Sequence, residues 1–535
     1  MEDNRMGDGQ VEEYSSRVMH LSALTLCAAM AVILLRRVMG SWNADKTLPP
    51  GPKGWPIVGS LYSLGPRTIP ACRRFTTLAD KYGPVMFFRL GSRPTVIVSN
   101  DKMARELLRV HDQTFASRPK LATGKHFGYN YSSVVFSPSG AHFVRMKKIY
   151  THELLSPKKV ELLSALRMEE AHILLVDVLR NSGTEANGVV NITSLVFKAN
   201  LNLMGRIVFS KRLFGESATI SAPPREVENF KFFVKSATKL VGLFNIGDYI
   251  PALRWLDLQG VEGALLQLKP HQEGLLRPII QEYRKMSLNL EGGMKQKEDG
   301  RVDFIAALVS NDSGLSDENI MAVAIDVMVG GSDSTSTAVE WSITELLRHP
   351  DCLQAAQEEL DSVVGRDRLV EEADCANLPF LNCIVKETLR LHPPSPLAIP
   401  HFSAEECTLG GYRIPANTTA YVNIYAIGRD AATWENPNRF NPTRFKDSKV
   451  NVYGHDFNLL PFSSGRRGCP GVHFALPTYK LELANLLHCF KWSPPPGVDF
   501  KDIDTKEAVG VVCSRLNPLM ASVTPRIPRH VILAK

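Results

Sequence analysis

The feature that most constrains this 535-residue chain is one ten-residue loop, Phe462-Ser463-Ser464-Gly465-Arg466-Arg467-Gly468-Cys469-Pro470-Gly471, which runs straight into a helical pattern. Gly465 and Gly468 let the backbone turn tightly and approach a flat ligand. The helix that starts after Cys469 offers free N–H groups and its positive dipole end to a thiolate. Arg467 stands two residues before the cysteine and can pair with a carboxylate. A buried cysteine in a turn accounts for the same spacing with no chemistry at all. The chain holds nine cysteines, an odd number with no CxxC pair, which argues against a disulfide framework or a zinc ribbon and for a reducing compartment.

Two further patterns carry weight. A helix is expected over about 316–348, with Ser316 as N-cap, Asp317 and Glu318 in the first turn, and His349-Pro350 as the stop. Inside it lies Val329-Gly330-Gly331-Ser332-Asp333-Ser334-Thr335. Each interior glycine costs a helix about 1 kcal/mol, so either close helix packing or an approaching ligand should require the pair. The second pattern is Lys386-Glu387-Thr388-Leu389-Arg390, where Glu387 and Arg390 share a helix face. Taken alone, such a pair is an exposed ion pair worth little.

Around these motifs the chain reads as mainly α with a smaller β-rich portion. A hairpin is expected over 85–98, helices over 141–350 with polar breaks near 182–188, 215–226 and 290–300, and short strands at 407–409, 412–414 and 420–424. One helix follows 471 to about Phe490, and the tail has strand character. Hydrophobic residues make up 44% and charged residues 22%, which supplies a large core and excludes a disordered chain. The net charge of +7 is mild, and the cluster Arg145, Lys147, Lys148 is too short for the basic stripe of a nucleic-acid binder.

One apolar run, Val18 to Leu35, approaches spanning length; as a helix it measures ~27 Å, enough for a thin bilayer such as the endoplasmic reticulum. Arg36 and Arg37 follow it, and acidic residues precede it, so the rest of the chain should face the cytosol. The acidic start argues against a cleaved signal peptide. The expected organisation is a lumenal tail (1–17), a transmembrane anchor (18–35), a basic and Pro-rich hinge (36–59) containing Leu48-Pro49-Pro50-Gly51-Pro52, and one large domain (60–535).

The loop fits the pattern FxxGxRxCxG, and with the other motifs the chain resembles the cytochrome P-450 superfamily, the haem-thiolate monooxygenases, over about residues 48–520. The resemblance implies haem b as cofactor, with Cys469 as axial iron ligand, Arg467 on a haem propionate, Phe462 packed beside the loop, and Gly465 and Gly471 shaping it. It implies that Arg444, from Phe440-Asn441-Pro442-Thr443-Arg444-Phe445, joins Glu387 and Arg390 in a buried network supporting that loop. It also implies that Gly330 and Gly331 open an oxygen groove, where Asp333 and Ser334 relay protons and Thr335 adds a second hydroxyl. Several positions depart from the family pattern. Ser334 stands where Thr is common, and Thr443 where Glu is common; Phe143 and Lys147 replace a Trp and an Arg on a propionate. Lys147 can still pair with a carboxylate, whereas Phe143 cannot donate a hydrogen bond. His401 lies where a propionate-binding residue is common, and Pro477 should interrupt the helix after the cysteine.

The implied reaction inserts one oxygen atom of O2 into a hydrophobic small molecule, with NADPH electrons arriving through NADPH–cytochrome P-450 reductase. The pocket implied by family position comprises Leu121–Tyr131, Ile325–Val329, Ser395–Ile399 and Val509–Val512, with His126, Phe127, Tyr129 and Tyr131 for aromatic contact. The chain is most similar in style to the plant microsomal A-type branch. Asn245–Pro251 and Trp255–Gly260 resemble flavonoid hydroxylases, whereas Ser117–Leu155 resembles fatty-acid in-chain hydroxylases. A phenolic or flavonoid substrate is preferred over a fatty acid. An O2-independent isomerase or dehydratase and a non-catalytic haem sensor or scaffold are the rival classes. Retention of Asp333-Ser334 weighs against the first of these.

Overall fold

The computed structural model describes residues 45–184, 188–215, 218, 223–289, 304–309 and 314–534, with six positions between Met19 and Met30. The Val18–Leu35 run lies otherwise outside the described residues. Among the described residues no helix is long and apolar enough to cross a membrane.

The axis of the molecule is the Asp317–Arg348 helix, which begins and ends where its signals place it. Ser316 Oγ accepts a hydrogen bond from the Asn319 N–H at 3.2 Å, and the helix stops at His349. Nearly every residue from Ile320 to Leu347 is buried, so this helix is packed on all sides. Its N-terminal half joins a core cluster with the Ile192–Phe209, Pro224–Val241 and Val261–Asn289 helices; its C-terminal half joins another with the Pro379–Leu391 and Val472–Cys489 helices.

The β portion flanks this helical body. The expected hairpin forms as β1 (Val85–Leu90) and β2 (Arg93–Val98), antiparallel with Val85 opposite Val98. β3 (Val189–Asn191), β4 (His401–Ser403), β5 (Cys407–Leu409), β6 (Tyr412–Ile414), β7 (Thr418–Val422), β8 (Phe490–Ser493) and β9 (Met520–Pro525) complete three small sheets. The largest has the order β1-β2-β7-β4, with β2 and β7 parallel. β7 starts and ends two residues earlier than its sequence pattern suggests, because Ile424 belongs to a helical turn capped by Asn423. The proline strap lies on the open side of β1: the Pro50 carbonyl accepts the Phe87 N–H at 3.0 Å. A Cβ on Gly51 would stand 1.9 Å from the Phe87 carbonyl oxygen, so only glycine permits that approach.

Pro477 corrects an expectation, because the Val472–Cys489 helix runs unbroken through it. The proline sits in the second turn, where only the bond to the first-turn His473 carbonyl is lost. Buried Leu481, Leu483, Leu486 and Leu487 then hold the remaining turns in the core.

Candidate active site

A cavity of about 360 Å³ lies between the long helix and the Phe462–Gly471 loop. The helix contributes Asp326, Val327, Gly330, Gly331, Ser334, Thr335 and Ala338. These positions recur at intervals of three and four, one stripe of a 3.6-residue period. Most of the remaining wall is apolar or aromatic, including Phe127, Phe136, Phe143, Tyr150, Ile399 and Val511.

The cysteine loop is folded by its own backbone. Cys469 N–H donates to the Phe462 carbonyl at 2.8 Å and Gly468 N–H to the Gly465 carbonyl at 3.0 Å. Gly465 has φ +74°, and a Cβ there would lie 2.5 Å from the Leu108 carbonyl oxygen and 2.6 Å from Asp112 Oδ1. Asp112 also accepts the Arg466 N–H at 2.8 Å and pairs with its guanidinium. Cys469 is exposed, but to the cavity, and protein encloses its other sides. The helix N-terminus does not make a thiolate unaided: burial pushes the Cys469 pKa up and outweighs the Gly471 N–H that lowers it. A coordinated metal cation would deprotonate the sulfur outright.

Cationic and donor groups gather at one end of the cavity. Arg467 donates through Nε to the Ala116 carbonyl at 2.5 Å and through Nη2 to the Ser137 carbonyl at 2.7 Å. Its guanidinium lies 3.5 Å from the Phe143 ring centroid, so the aromatic ring that replaces Trp offers its face to a cation instead of an N–H. Lys147 Nζ donates to the Arg466 carbonyl at 2.6 Å. His401 Nδ1 lies 3.0 Å from the Phe115 carbonyl, which makes that nitrogen the protonated one in the neutral ring. Arg118, which sequence reasoning missed, donates to the Val135, Ile399 and Pro400 carbonyls at 2.7–3.1 Å. No spacing rule marks it, because two of these partners are 281 and 282 residues away.

None of these four groups is hydrogen-bonded to a carboxylate among the described residues. Burial pushes Arg467 down to about 10 and Arg118 well below its ordinary value. Burial, reinforced by Arg118 and Arg467, pushes His401 down to about 3. Buried cations without counter-ions call for an anionic ligand. Opposite them, a Cβ at Gly330 would meet nothing within 4 Å. A thiol, an open glycine face and a cationic rim around one cavity fit haem, which Cys469 could ligate with Arg118, Arg467 and Lys147 toward its carboxylates; His401, neutral with its proton toward Phe115, adds no charge to that rim.

The structure divides the residues expected on the oxygen side. Gly330 faces the cavity, but a Cβ on Gly331 would lie 2.3 Å from Met204 Sδ on the Ile192–Phe209 helix. Helix packing therefore explains the second glycine. Ser334 and Thr335 line the cavity, and Ser334 Oγ donates to the Gly330 carbonyl at 2.6 Å. Asp333 lies off the stripe, 100° around the helix from Ser334. Its buried Oδ1 pairs instead with Lys235 Nζ of the Pro224–Val241 helix at 3.2 Å.

Glu387, Arg390 and Arg444 come together as expected. Arg390 Nε and Nη2 hold the Glu387 carboxylate at 2.7 and 2.8 Å, and both side chains are fully buried. Arg444 Nε reaches Glu387 Oε1 at 3.0 Å, and the Asn441 N–H reaches the same oxygen at 2.7 Å. Arg390 also donates to the Gly428, Pro437 and Arg439 carbonyls. These bonds tie the Pro379–Leu391 helix to residues 428–444, rather than to the cysteine loop itself. Of the four aromatic side chains expected in the pocket, only Phe127 lines it. Tyr129 Oη reaches Met321 Sδ, Tyr131 Oη donates to the Leu121 carbonyl, and His126 pairs with Glu262 at 2.9 Å.

The sequence profile described as cytochrome P450 matches residues 49–520. The chain is 36% identical to a flavonoid 3'-monooxygenase of Crocosmia x crocosmiiflora, covering 95% of this chain and 97% of that protein. It is also 36% identical to a flavonoid 3'-monooxygenase of Arabidopsis thaliana, covering 95% and 98%. A zebra fish cytochrome P450 solved with progesterone superposes at a TM-score of 0.68 with 25% identity, over 86% of this chain and all of that one. By its profile, its relatives and its fold, this chain belongs to the cytochrome P450 family.

Proposed function

We propose that the chain is a membrane-anchored haem-thiolate monooxygenase that places one oxygen atom of O2 into a phenolic or flavonoid-type molecule. The observation that carries this reading is Cys469 opening into an apolar cavity across from the Gly330–Ser334 stripe. A bound haem supplies reductive activation of O2 at a thiolate-ligated iron. The chain's own residues do the rest. Cys469 would give the ligand sulfur, and Arg118, Arg467 and Lys147 would neutralise the haem carboxylates. The apolar wall excludes water and orients the substrate. Ser334 Oγ, steered by the Gly330 carbonyl, presents a hydroxyl to the cavity, and Thr335 presents a second. Asp333 forms an ion pair with partly exposed Lys235, and this pair supplies protons from the solvent side of the helix.

The aromatic cavity wall and the two flavonoid 3'-monooxygenases among the relatives favour a phenolic substrate. In this reading NADPH–cytochrome P-450 reductase is the electron donor, and Val18–Leu35 anchors the chain in the endoplasmic reticulum with its catalytic domain cytosolic. The test is product analysis of microsomes carrying the chain and a reductase, offered NADPH with a flavonoid and a medium-chain fatty acid. A hydroxylated aromatic product supports the reading. A hydroxy fatty acid as sole product overturns its substrate half.

A further inference from the structure

The segment that backs the cysteine loop departs from an ordinary helix. The Asp101–Arg105 helix widens into one π-helical turn over Glu106–Val110, where the His111 N–H donates to the Glu106 carbonyl, five residues back, at 2.9 Å. Such turns are rare and recur at functional sites. This one lies against Gly465, where an added Cβ would stand 2.5 Å from the Leu108 carbonyl oxygen. Asp112 follows directly after the turn and its cap, His111. Its Oδ1 accepts the Arg466 N–H at 2.8 Å, and its Oδ2 stands 3.3 Å from Arg466 Nε. The Arg466 carbonyl in turn accepts Lys147 Nζ, from the Ala141–Glu153 helix, at 2.6 Å. Both backbone polar groups of Arg466 are therefore held by charged side chains, one from each of two segments far away in the chain. Asp112 is also the only anion among the charged groups acting on Lys147, the others being Arg467 and Arg466.

We propose that Asp112 is a positioning residue for the Cys469 sulfur and acts through the Arg466 peptide N–H. The proposal deepens the function proposed above and rests on Cys469 as the haem ligand. The path from carboxylate to sulfur is short. Arg466 lies inside the turn that the Gly468 N–H closes on the Gly465 carbonyl, and the next N–H, that of Cys469, donates to the Phe462 carbonyl. Fixing the Arg466 peptide therefore fixes this turn, and with it the direction in which Cys469 leaves the loop. Asp112 makes two contacts with Arg466, and they are unequal. The guanidinium contact joins a side chain that is 59% exposed, and an exposed ion pair of that kind contributes little. The bond from the backbone N–H to the carboxylate is charge-assisted and about twice as strong as a neutral one. The backbone bond is thus the one that positions the loop.

The test uses the full-chain, haem-loaded protein and its ferrous–CO spectrum at a urea concentration below the unfolding transition. The ratio of the form that has lost the thiolate ligand to the form that keeps it is compared in wild type, Asp112→Ala, Asp112→Asn and Arg466→Ala. Asp112→Ala should raise this ratio about tenfold or more, the range for losing a hydrogen bond to a charged group. Asp112→Asn keeps an uncharged acceptor for the Arg466 N–H and should raise it about threefold, so it carries the test where the alanine variant fails to fold. Arg466→Ala removes the guanidinium, keeps the N–H bond and should stay within about twofold of wild type. A lowered unfolding midpoint with an unmoved ratio in the Asp112 variants would make the residue merely structural and overturn the proposal. An Arg466→Ala ratio as high as that of the Asp112 variants would assign the effect to the exposed ion pair and overturn it too. Either result leaves Cys469 as the ligand. A wild-type protein that binds haem but shows no thiolate form would overturn that reading as well.

Discussion

Replacing Arg390 with alanine removes the most heavily bonded side chain of the Glu387 network. Its guanidinium makes two bonds to Glu387 and three to the carbonyls of Gly428, Pro437 and Arg439. Breaking a buried ion pair costs about 3–5 kcal/mol. Glu387 keeps Arg444 and the Asn441 N–H, which favours the lower end of that range. The Arg439 carbonyl keeps Arg444 Nη2, but the Gly428 and Pro437 carbonyls lose this guanidinium, at about 1–3 kcal/mol each. The sum, roughly 5–10 kcal/mol, is comparable to the whole stability of a typical domain, about 5–15 kcal/mol. Arg444→Ala removes a single charged bond to Glu387 from a slightly exposed side chain, and should cost only about 1.5–3 kcal/mol. The assay is haem per polypeptide by ferrous–CO difference spectrum, with the urea midpoint of whatever protein is recovered. Arg390→Ala should yield little haem-loaded protein, and Arg444→Ala should yield a lowered but measurable amount. Wild-type haem content and midpoint in Arg390→Ala would refute the reasoning, as would a larger loss in Arg444→Ala than in Arg390→Ala.

The two glycines of the long helix should separate. Gly330→Ala should leave the urea midpoint equal or higher while lowering haem loading, whereas Gly331→Ala should lose about 1–3 kcal/mol through Met204 and recover with Met204→Ala, as read by urea titration. Glu482, buried and bonded to Asn200 at 3.0 Å, has its pKa pushed up to about 8 by burial. Folding therefore takes up a proton, and the stability this carboxyl contributes is present below about pH 4.5 and lost as the pH rises through about 8. Glu482→Gln should stabilise the protein at neutral pH by on the order of 3 kcal/mol and flatten that slope in thermal unfolding. Lys235→Met should leave substrate affinity within about twofold and lower the product formed per NADPH consumed, because Asp333 loses the ion-pair partner that links it to solvent. Unchanged coupling would remove the pair from proton supply.

What could be read from sequence was set by local rules. Ser316 and His349-Pro350 bound the long helix, because a cap and a proline act on their own neighbours. The 85–98 hairpin follows from its alternation and turn cluster, and the cysteine loop from its glycines. What sequence could not give depends on which side of an element faces which neighbour. Gly330 and Gly331 look equivalent in the chain, yet one opens a cavity and the other admits Met204. Asp333 and Ser334 are adjacent, yet a 100° step sends one to Lys235 and the other to the cavity. Arg118 and Asp326 carry no local signature, since their environments are assembled from distant segments. The three-residue strands β3 and β4 are too short for a periodic pattern and exist because β9 and β7 lie beside them.

The central claim is that Cys469 and this cavity serve insertion of one atom of molecular oxygen into a phenolic substrate. The most direct measurement supplies isotopically labelled O2 to the reductase-coupled protein with NADPH and a flavonoid, and determines the label in the product by mass spectrometry. The account predicts one labelled oxygen atom in a new ring hydroxyl, and none when Cys469→Ala replaces the wild-type chain. A product formed without label, or the same labelled product from Cys469→Ala, would contradict it.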